Sequence, residues 1–272
     1  MVTPGVESAD TVPPLEARSS ADSTVASVAK ATVVLKAFSP TIAVLSVRQL
    51  SVRTGIPRST VHALCQTLVQ TGLLEASPAG YQLGPLLLEL GGQVIERTGL
   101  VRAAEGILDR LIRSSEEEVH LGQLSQGWIV YLDREASPRP ARSPMQNRVG
   151  QRAPAHLTGC GKAALSWLPP DEVEQRVRRY CAEERRPVPD LTMLRTELAA
   201  GNRNGYVVSR SFQQNRTSVA APILDYGQRP VGGVSVAGPS SVFTASVLAA
   251  ARASVVEAAA IISSRLLSPP PR

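Results

Sequence analysis

Aromatic residues are scarce in this chain: three Phe, two Trp and five Tyr make up 4% of its 272 residues. Its cores must therefore be built from Leu, Val, Ala and Ile, and a hydrophobic fraction of 43% is enough to build them. Cysteine is rarer still. Cys65, Cys160 and Cys181 are too scattered for a disulfide framework, which excludes the small stapled folds and implies a reducing interior. Neither His62 with Cys65 nor His156 with Cys160 gains the further ligands that a zinc site needs, so no metal and no cofactor is expected. The N-terminus MVTPGVESAD lacks a basic region followed by an apolar core and does not read as a secretory signal. No apolar run approaching the ~18 residues of a membrane span stands out. A cytoplasmic protein without a membrane partner is expected.

Acid is missing from one stretch in particular. Between residues 24 and 83, Glu75 stands alone against five bases: Lys30, Lys36, Arg48, Arg53 and Arg58. Residues 84–150 hold eight bases against nine acids, and residues 151–272 hold fifteen against nine. A short, basic, nearly acid-free segment suits a surface that meets phosphates. Charge alone leaves a solvated basic face equally open.

The pattern of apolar residues divides the chain. Residues 1–23 and 268–272 are rich in Pro, Ser and charge and are expected to be disordered. Val25, Val28, Val33, Leu35 and Phe38 fit a first helix that ends before Pro40. SVRQLSVRTG fits a second, with Val47, Leu50 and Val52 apolar and Gly55 as its stop. Pro57 then opens a third helix, in which Val61, Leu64, Cys65 and Leu68 recur as one buried stripe. LLEASPAGYQL reads as a hairpin turning at Pro78-Ala79-Gly80. Two helices on a tight turn followed by a hairpin describe a winged helix-turn-helix over 24–83. The third helix turns Arg58, Ser59, Thr60, His62 and Gln66 outward, short polar side chains and an arginine suited to a major groove. Lys36, Arg48 and Arg53 are candidates for sequence-blind phosphate contacts. An ordinary three-helix core with a polar outer face is the alternative.

Residues 84–100, LGPLLLELGGQVIERTG, form an apolar helical linker that either pairs with a second copy or buries itself on its own C-terminal domain. Residues 101–267 then read as an α+β domain. VRAAEGILDRLIRSS is one amphipathic helix, and EEVHLGQLSQGWIVYLDREA is two strands around Ser125-Gln126-Gly127. Helices follow at TGCGKAALSWL and DEVEQRVRRYCAEE, and RTELAAGNRNGYVVSRS is helix, glycine stop, strand. TSVAAPILDYGQRPVGGVSVAGP is a second hairpin, and a long helix closes the domain.

The motifs TGIPRSTVHALCQTLVQTGLL, YQLGPLLLELG, EEVHLGQLSQGWIVYLDRE, VGQRAPAHLTGCGKAAL, NGYVVSRS and VAAPILDYGQRPVGGVSVAGP, in this order and spacing, resemble an IclR-type transcriptional regulator from about Thr24 to Leu267. The resemblance implies a winged helix-turn-helix, a linker helix and a GAF-like effector-binding domain with an antiparallel sheet. It implies a homodimer or tetramer on double-stranded operator DNA. It also implies a small-molecule effector, an organic acid in many relatives, against Gly159, Cys160, Ser209, Ser218, Ser235 and Ala237. The chain departs from the family where Ser209 stands for an acid common after Gly-Tyr, and where Arg210 and Arg216 lie in a stretch that is usually acidic. These departures imply an anionic effector larger than glyoxylate or pyruvate, held by helix-end N–H groups, Ser218, Ser235 and an arginine. In the third helix Ala63 replaces an arginine common in relatives.

TGCGKAA itself, residues 158–164, superficially matches a phosphate-gripping loop. That loop requires G-x-x-x-x-G-K-[ST]. Here His156 takes the first glycine's place and Ala163 the hydroxyl's, and no strand of the right type is evident before it, which excludes nucleotide hydrolysis. Two readings from other classes remain open at this point. One is an enzyme using Cys160 as nucleophile with His156 or His120 as base. The other is an architectural DNA binder with a vestigial sensor domain.

Overall fold

The computed structural model describes residues 24–39, 41–136, 149–210 and 212–267, so both tails expected to be disordered lie outside the described residues. The chain divides into two compact units, 1–94 and 95–272.

In the first unit α1 (Ala26–Lys36), α2 (Val47–Thr54) and α3 (Arg58–Gln70) precede a hairpin of β1 (Leu74–Ser77) and β2 (Gly80–Leu83). A capping box starts α2: the Gln49 backbone N–H donates to Ser46 Oγ at 3.3 Å, and the Ser46 N–H donates to the Gln49 side chain at 2.9 Å. Two donors that a helix start leaves orphaned are thereby satisfied. The helix stops at Gly55, whose φ of +70° side chains rarely adopt. Ser51 Oγ donates to the Ile56 carbonyl at 2.7 Å across this turn, and α3 begins after Pro57. Val61, Cys65 and Leu68 are buried as their spacing predicts, with Leu64 of the same stripe only half-buried, and they close a core with Val33, Val34, Leu45, Leu50 and Tyr81. Leu45 also pairs with Tyr81 and adds a rung to the hairpin. The unit is a winged helix-turn-helix.

Some expected core positions are wrong. Val25 and Val28 are 62% and 63% exposed, and α1 buries Val33 and Val34 instead, since only its C-terminal half is covered. Val52 is 73% exposed. The short α2 buries Leu50 and Thr54, one turn apart, and a residue two positions from each faces away.

Helix α4 (Leu86–Thr98) carries the apolar linker stretch but buries none of its residues. Leu88, Leu90 and Val94 are exposed. The single helix expected over 101–115 is two, α5 (Leu100–Ala104) and α6 (Ile107–Ser115), broken where Gly106 takes φ +70°. The break lets Leu100, Ala103 and Ala104, and then Ile107, Leu108 and Leu111, all reach one core.

The second unit continues with β3 (Glu118–Ser125), β4 (Trp128–Glu135), β5 (Arg152–Pro154), α7 (Gly159–Leu165), α8 (Pro170–Glu183) and α9 (Leu191–Asn204). It ends with β6 (Val207–Ser209), β7 (Arg216–Leu224), β8 (Pro230–Pro239) and α10 (Ala245–Leu267). The strands form one antiparallel sheet of six, in the order β5-β4-β3-β8-β7-β6. Strand β5 was not anticipated, because three residues are too few to show a period of two.

One face of the sheet, with Val119, Leu121, Val219, Ala221, Ile223, Val234 and Val236, packs against α5, α6 and α10. The other carries α7, and beyond it α8 and α9 cover Ile129, Tyr131 and Ala153. Contrary to the reading of the apolar runs, α10 is long and apolar enough by composition to cross a membrane. Its buried residues Ala251, Val255, Ala258, Ala259 and Ile262 recur on one stripe against the sheet, the pattern of a core helix.

Candidate functional site

In the first unit, Arg58, Ser59, His62 and Gln66 share the exposed side of α3, opposite the stripe of Val61, Cys65 and Leu68, and Thr60 is half-buried at its edge. Pro57 supplies no side-chain cap, so the first backbone amides of α3 are left for another acceptor. Gln66 Nε2 reaches the Tyr81 hydroxyl on β2 at 3.5 Å and ties this face to the wing. Lys36 and Arg48 are exposed on α1 and α2, and Arg53 is half-buried on α2. The four residues of the α3 face thus come together, while the other bases lie on α1 and α2.

In the second unit, the chemistry gathers around TGCGKAA. Thr158 caps α7, its hydroxyl accepting from the Gly161 N–H at 3.2 Å. The two glycines serve close packing: a Cβ on Gly161 would run into the Ala155 backbone, and one on Gly159 into the Ser218 side chain. Lys162 is 2% exposed, and its Nζ lies 2.6 and 2.8 Å from the Glu197 carboxylate oxygens on α9. The lysine pins two helices and is not offered to a phosphate. A strand does precede the turn, but β5 is an antiparallel edge strand and not the parallel strand of a phosphate-binding unit.

Between α7 and the sheet is a cavity of about 30 Å³. Gly159, Cys160, Ser209, Ser218 and Ser235 all line it. Ala237 does not. It sits on β8 between Glu118 and Ser218 in register, on the same face as Ser235, and is 2% exposed. The cavity also takes in His120, Tyr131, Thr158, Phe212, Gln213 and Thr217, which the sequence reading did not assign to an effector, together with Arg210 and Arg216. The available signal was His120 itself, a polar residue between two aliphatics in a strand, but periodicity does not say what such a residue faces.

The charges here are organised by Glu118. Its carboxylate, almost fully buried, takes Arg134 at 3.1 Å on one oxygen and Arg216 at 3.3 Å on the other. Arg216 is thus committed within the protein, and Arg210 is exposed. Burial, with help from Arg134 and Arg216, lowers the His120 pKa to about 3. Burial raises Cys160 to about 11, and its thiol donates to Ser235 Oγ at 3.2 Å. A nucleophilic cysteine needs the opposite shift. His156, lowered to about 4 by burial and Lys162, packs on the Tyr180 ring.

Comparison with known proteins gives a consistent picture. Residues 27–78 match the IclR helix-turn-helix domain, and residues 92–264 match the bacterial transcriptional regulator IclR C-terminal domain. The chain is 28% identical over 226 residues to the HTH-type transcriptional regulator KipR of Bacillus subtilis, covering 82% of this chain and 90% of KipR. It is 31% identical over 187 residues to the glycerol operon regulatory protein of Streptomyces coelicolor, 68% of this chain and 73% of that protein. An IclR homologue from Microbacterium hydrocarbonoxydans, solved with 4-hydroxybenzoate, shares the fold with a TM-score of 0.73 at 24% identity, over 88% of this chain and 98% of its own.

Proposed function

This chain belongs to the IclR family of bacterial DNA-binding transcriptional regulators, and we propose how it performs that role: α3 reads operator DNA, and an organic acid bound between α7 and the sheet changes operator affinity. The observation that carries the first half is the exposed face of Arg58, Ser59, His62 and Gln66 on a segment with a single acid against five bases. Arg58 is suited to guanine edges, Ser59, Thr60 and His62 to phosphate or base contacts, and Lys36, Arg48 and Arg53 to phosphates. Two copies bring two such helices to adjacent half-sites, and the exposed leucines of α4 offer a surface for pairing. Such a regulator works in the cytoplasm, with the chromosome.

The second half rests on the cavity and on its lining of hydroxyls with an arginine exposed beside it. That a homologue holds 4-hydroxybenzoate supports a small organic acid here. In so small a cavity an effector must push the lining apart. Binding one arrangement of the dimer better than the other then shifts operator affinity by that difference, commonly ~1–3 kcal/mol.

Fluorescence anisotropy on the protein's own upstream DNA and on random DNA tests this. Arg58→Ala is expected to weaken operator binding selectively, whereas Lys36→Ala weakens both and lowers the salt slope by about 1. Unchanged discrimination in Arg58→Ala removes α3 from the reading role.

A further inference from the structure

One group in the cavity has unfinished bonding. His120 is 1% exposed, yet its Nε2 has no hydrogen-bond partner, and the nearest carboxylate oxygen, on Glu118, is 4.0 Å away. Buried polar atoms are nearly always paired, because an unpaired one has given up water for nothing. Val119 and Leu121, on either side of it in β3, belong to the aliphatic core on the opposite face, while His120 lines the cavity.

Its surroundings describe what would complete it. Ser235 is directly opposite His120 in the β3–β8 register. Its Oγ accepts from the Cys160 thiol and so keeps its own hydrogen to donate. The charged groups packed around the ring, Glu118, Arg134 and Arg216, are paired with one another. The imidazole itself is neutral, held far below its ordinary pKa by burial and the two arginines. A neutral imidazole beside a serine is a poor seat for a carboxylate. It is a good one for a hydroxyl, which both donates and accepts. Arg210, the cation of the lining not tied to Glu118, is exposed.

We infer that His120 and Ser235 together read a hydroxyl, so that the effector is a hydroxylated carboxylate with its hydroxyl on His120 Nε2 and its carboxylate turned out towards Arg210. The inference rests on the cavity being the effector site. A site built to hydrogen-bond a hydroxyl discriminates strongly against the analogue that lacks it, because its own buried groups are then left unpaired.

Calorimetry on the full chain with matched acids, 4-hydroxybenzoate against benzoate and 3-hydroxybutyrate against butyrate, tests the assignment. At least one hydroxylated acid is expected to bind ~10- to 100-fold more tightly than its parent. His120→Phe is expected to bring that acid down to its parent's affinity, and His120→Gln, whose amide still donates and accepts, to keep part of the preference. With ¹⁵N-labelled histidine the unsubstituted protein gives an independent readout: the His120 Nε2 resonance moves with the hydroxylated acid and not with its parent. Equal binding within both pairs, a preference that survives His120→Phe, or a stationary His120 resonance overturns the assignment while leaving the cavity as an acid-binding site. Failure of all four acids to bind overturns both.

Discussion

The two faces of the six-stranded sheet are made from the same strands, residue by residue in alternation, and they are put to opposite uses. Val119 and Leu121 of β3 point into the aliphatic core with α5, α6 and α10, while Glu118 and His120, alternating with them, face the cavity side. On β8 the aliphatics Val234 and Val236 flank Ser235 in the same way. Both faces are buried to a similar degree, so burial does not separate them. What separates them is whether the buried groups are complete. The aliphatic face is finished by packing alone, whereas the polar face is finished partly by ion pairs and is left open at His120. On the proposed reading, stability and ligand choice are separable along one strand.

Substitutions on the two faces can sharpen or break this contrast. Glu118→Ala is expected to have the largest effect, a loss of about 3–5 kcal/mol in denaturant unfolding, since it removes the buried carboxylate that Arg134 and Arg216 share. A loss below ~1 kcal/mol would mean that the polar face is solvated after all. Leu121→Ala, on the other face, is expected to cost about 3 kcal/mol while leaving the preference between matched acids intact. If that preference disappears, the faces are not independent.

Acid is expected to act through the polar face. His120 has its pKa lowered from 6.5 to about 3, so the unfolded chain takes up a proton first as pH falls. Its stabilising contribution is complete above about 6.5 and is lost progressively down to about 3. Between pH 7 and 5 this removes on the order of 2 kcal/mol, and His156 shifts in the same direction. His120→Phe should flatten the stability curve measured over that range, and an unchanged slope refutes the contribution. The smallest stability effect is expected for Ser235→Ala, under about 1 kcal/mol, because it removes one weak bond from a thiol. Its acid affinity is nevertheless expected to fall, measured by the same calorimetry.

Helix α3 was largely readable in the sequence. Its start after Pro57, the turn at Gly55 and the stripe of Val61, Cys65 and Leu68 all follow from local rules of period and capping. Val25, Val28 and Val52 misled because an apolar residue on a short helix does not say which side another element will cover. The cavity was readable only in part. Five of its lining residues were anticipated from the resemblance, yet His120 was considered only as a possible base for Cys160, and Tyr131 was read as strand. Ala237, assigned with them, is on the same face of β8 as Ser235 but is not among the residues that line the cavity.

By itself the sequence determined the order and type of most elements, the nearly acid-free α3 unit and the family, because period, capping and motif order are encoded over a few neighbouring residues. Only the tertiary structure decided what the glycines of TGCGKAA, Lys162 and His120 are for. Their partners are Ala155 and Ser218 for the glycines, Glu197 for the lysine, and Glu118 and Ser235 around an imidazole whose Nε2 is still unpaired. Most of these lie far off along the chain, on strands and helices that meet only after the sheet closes, and no local rule says which residues a fold will bring face to face.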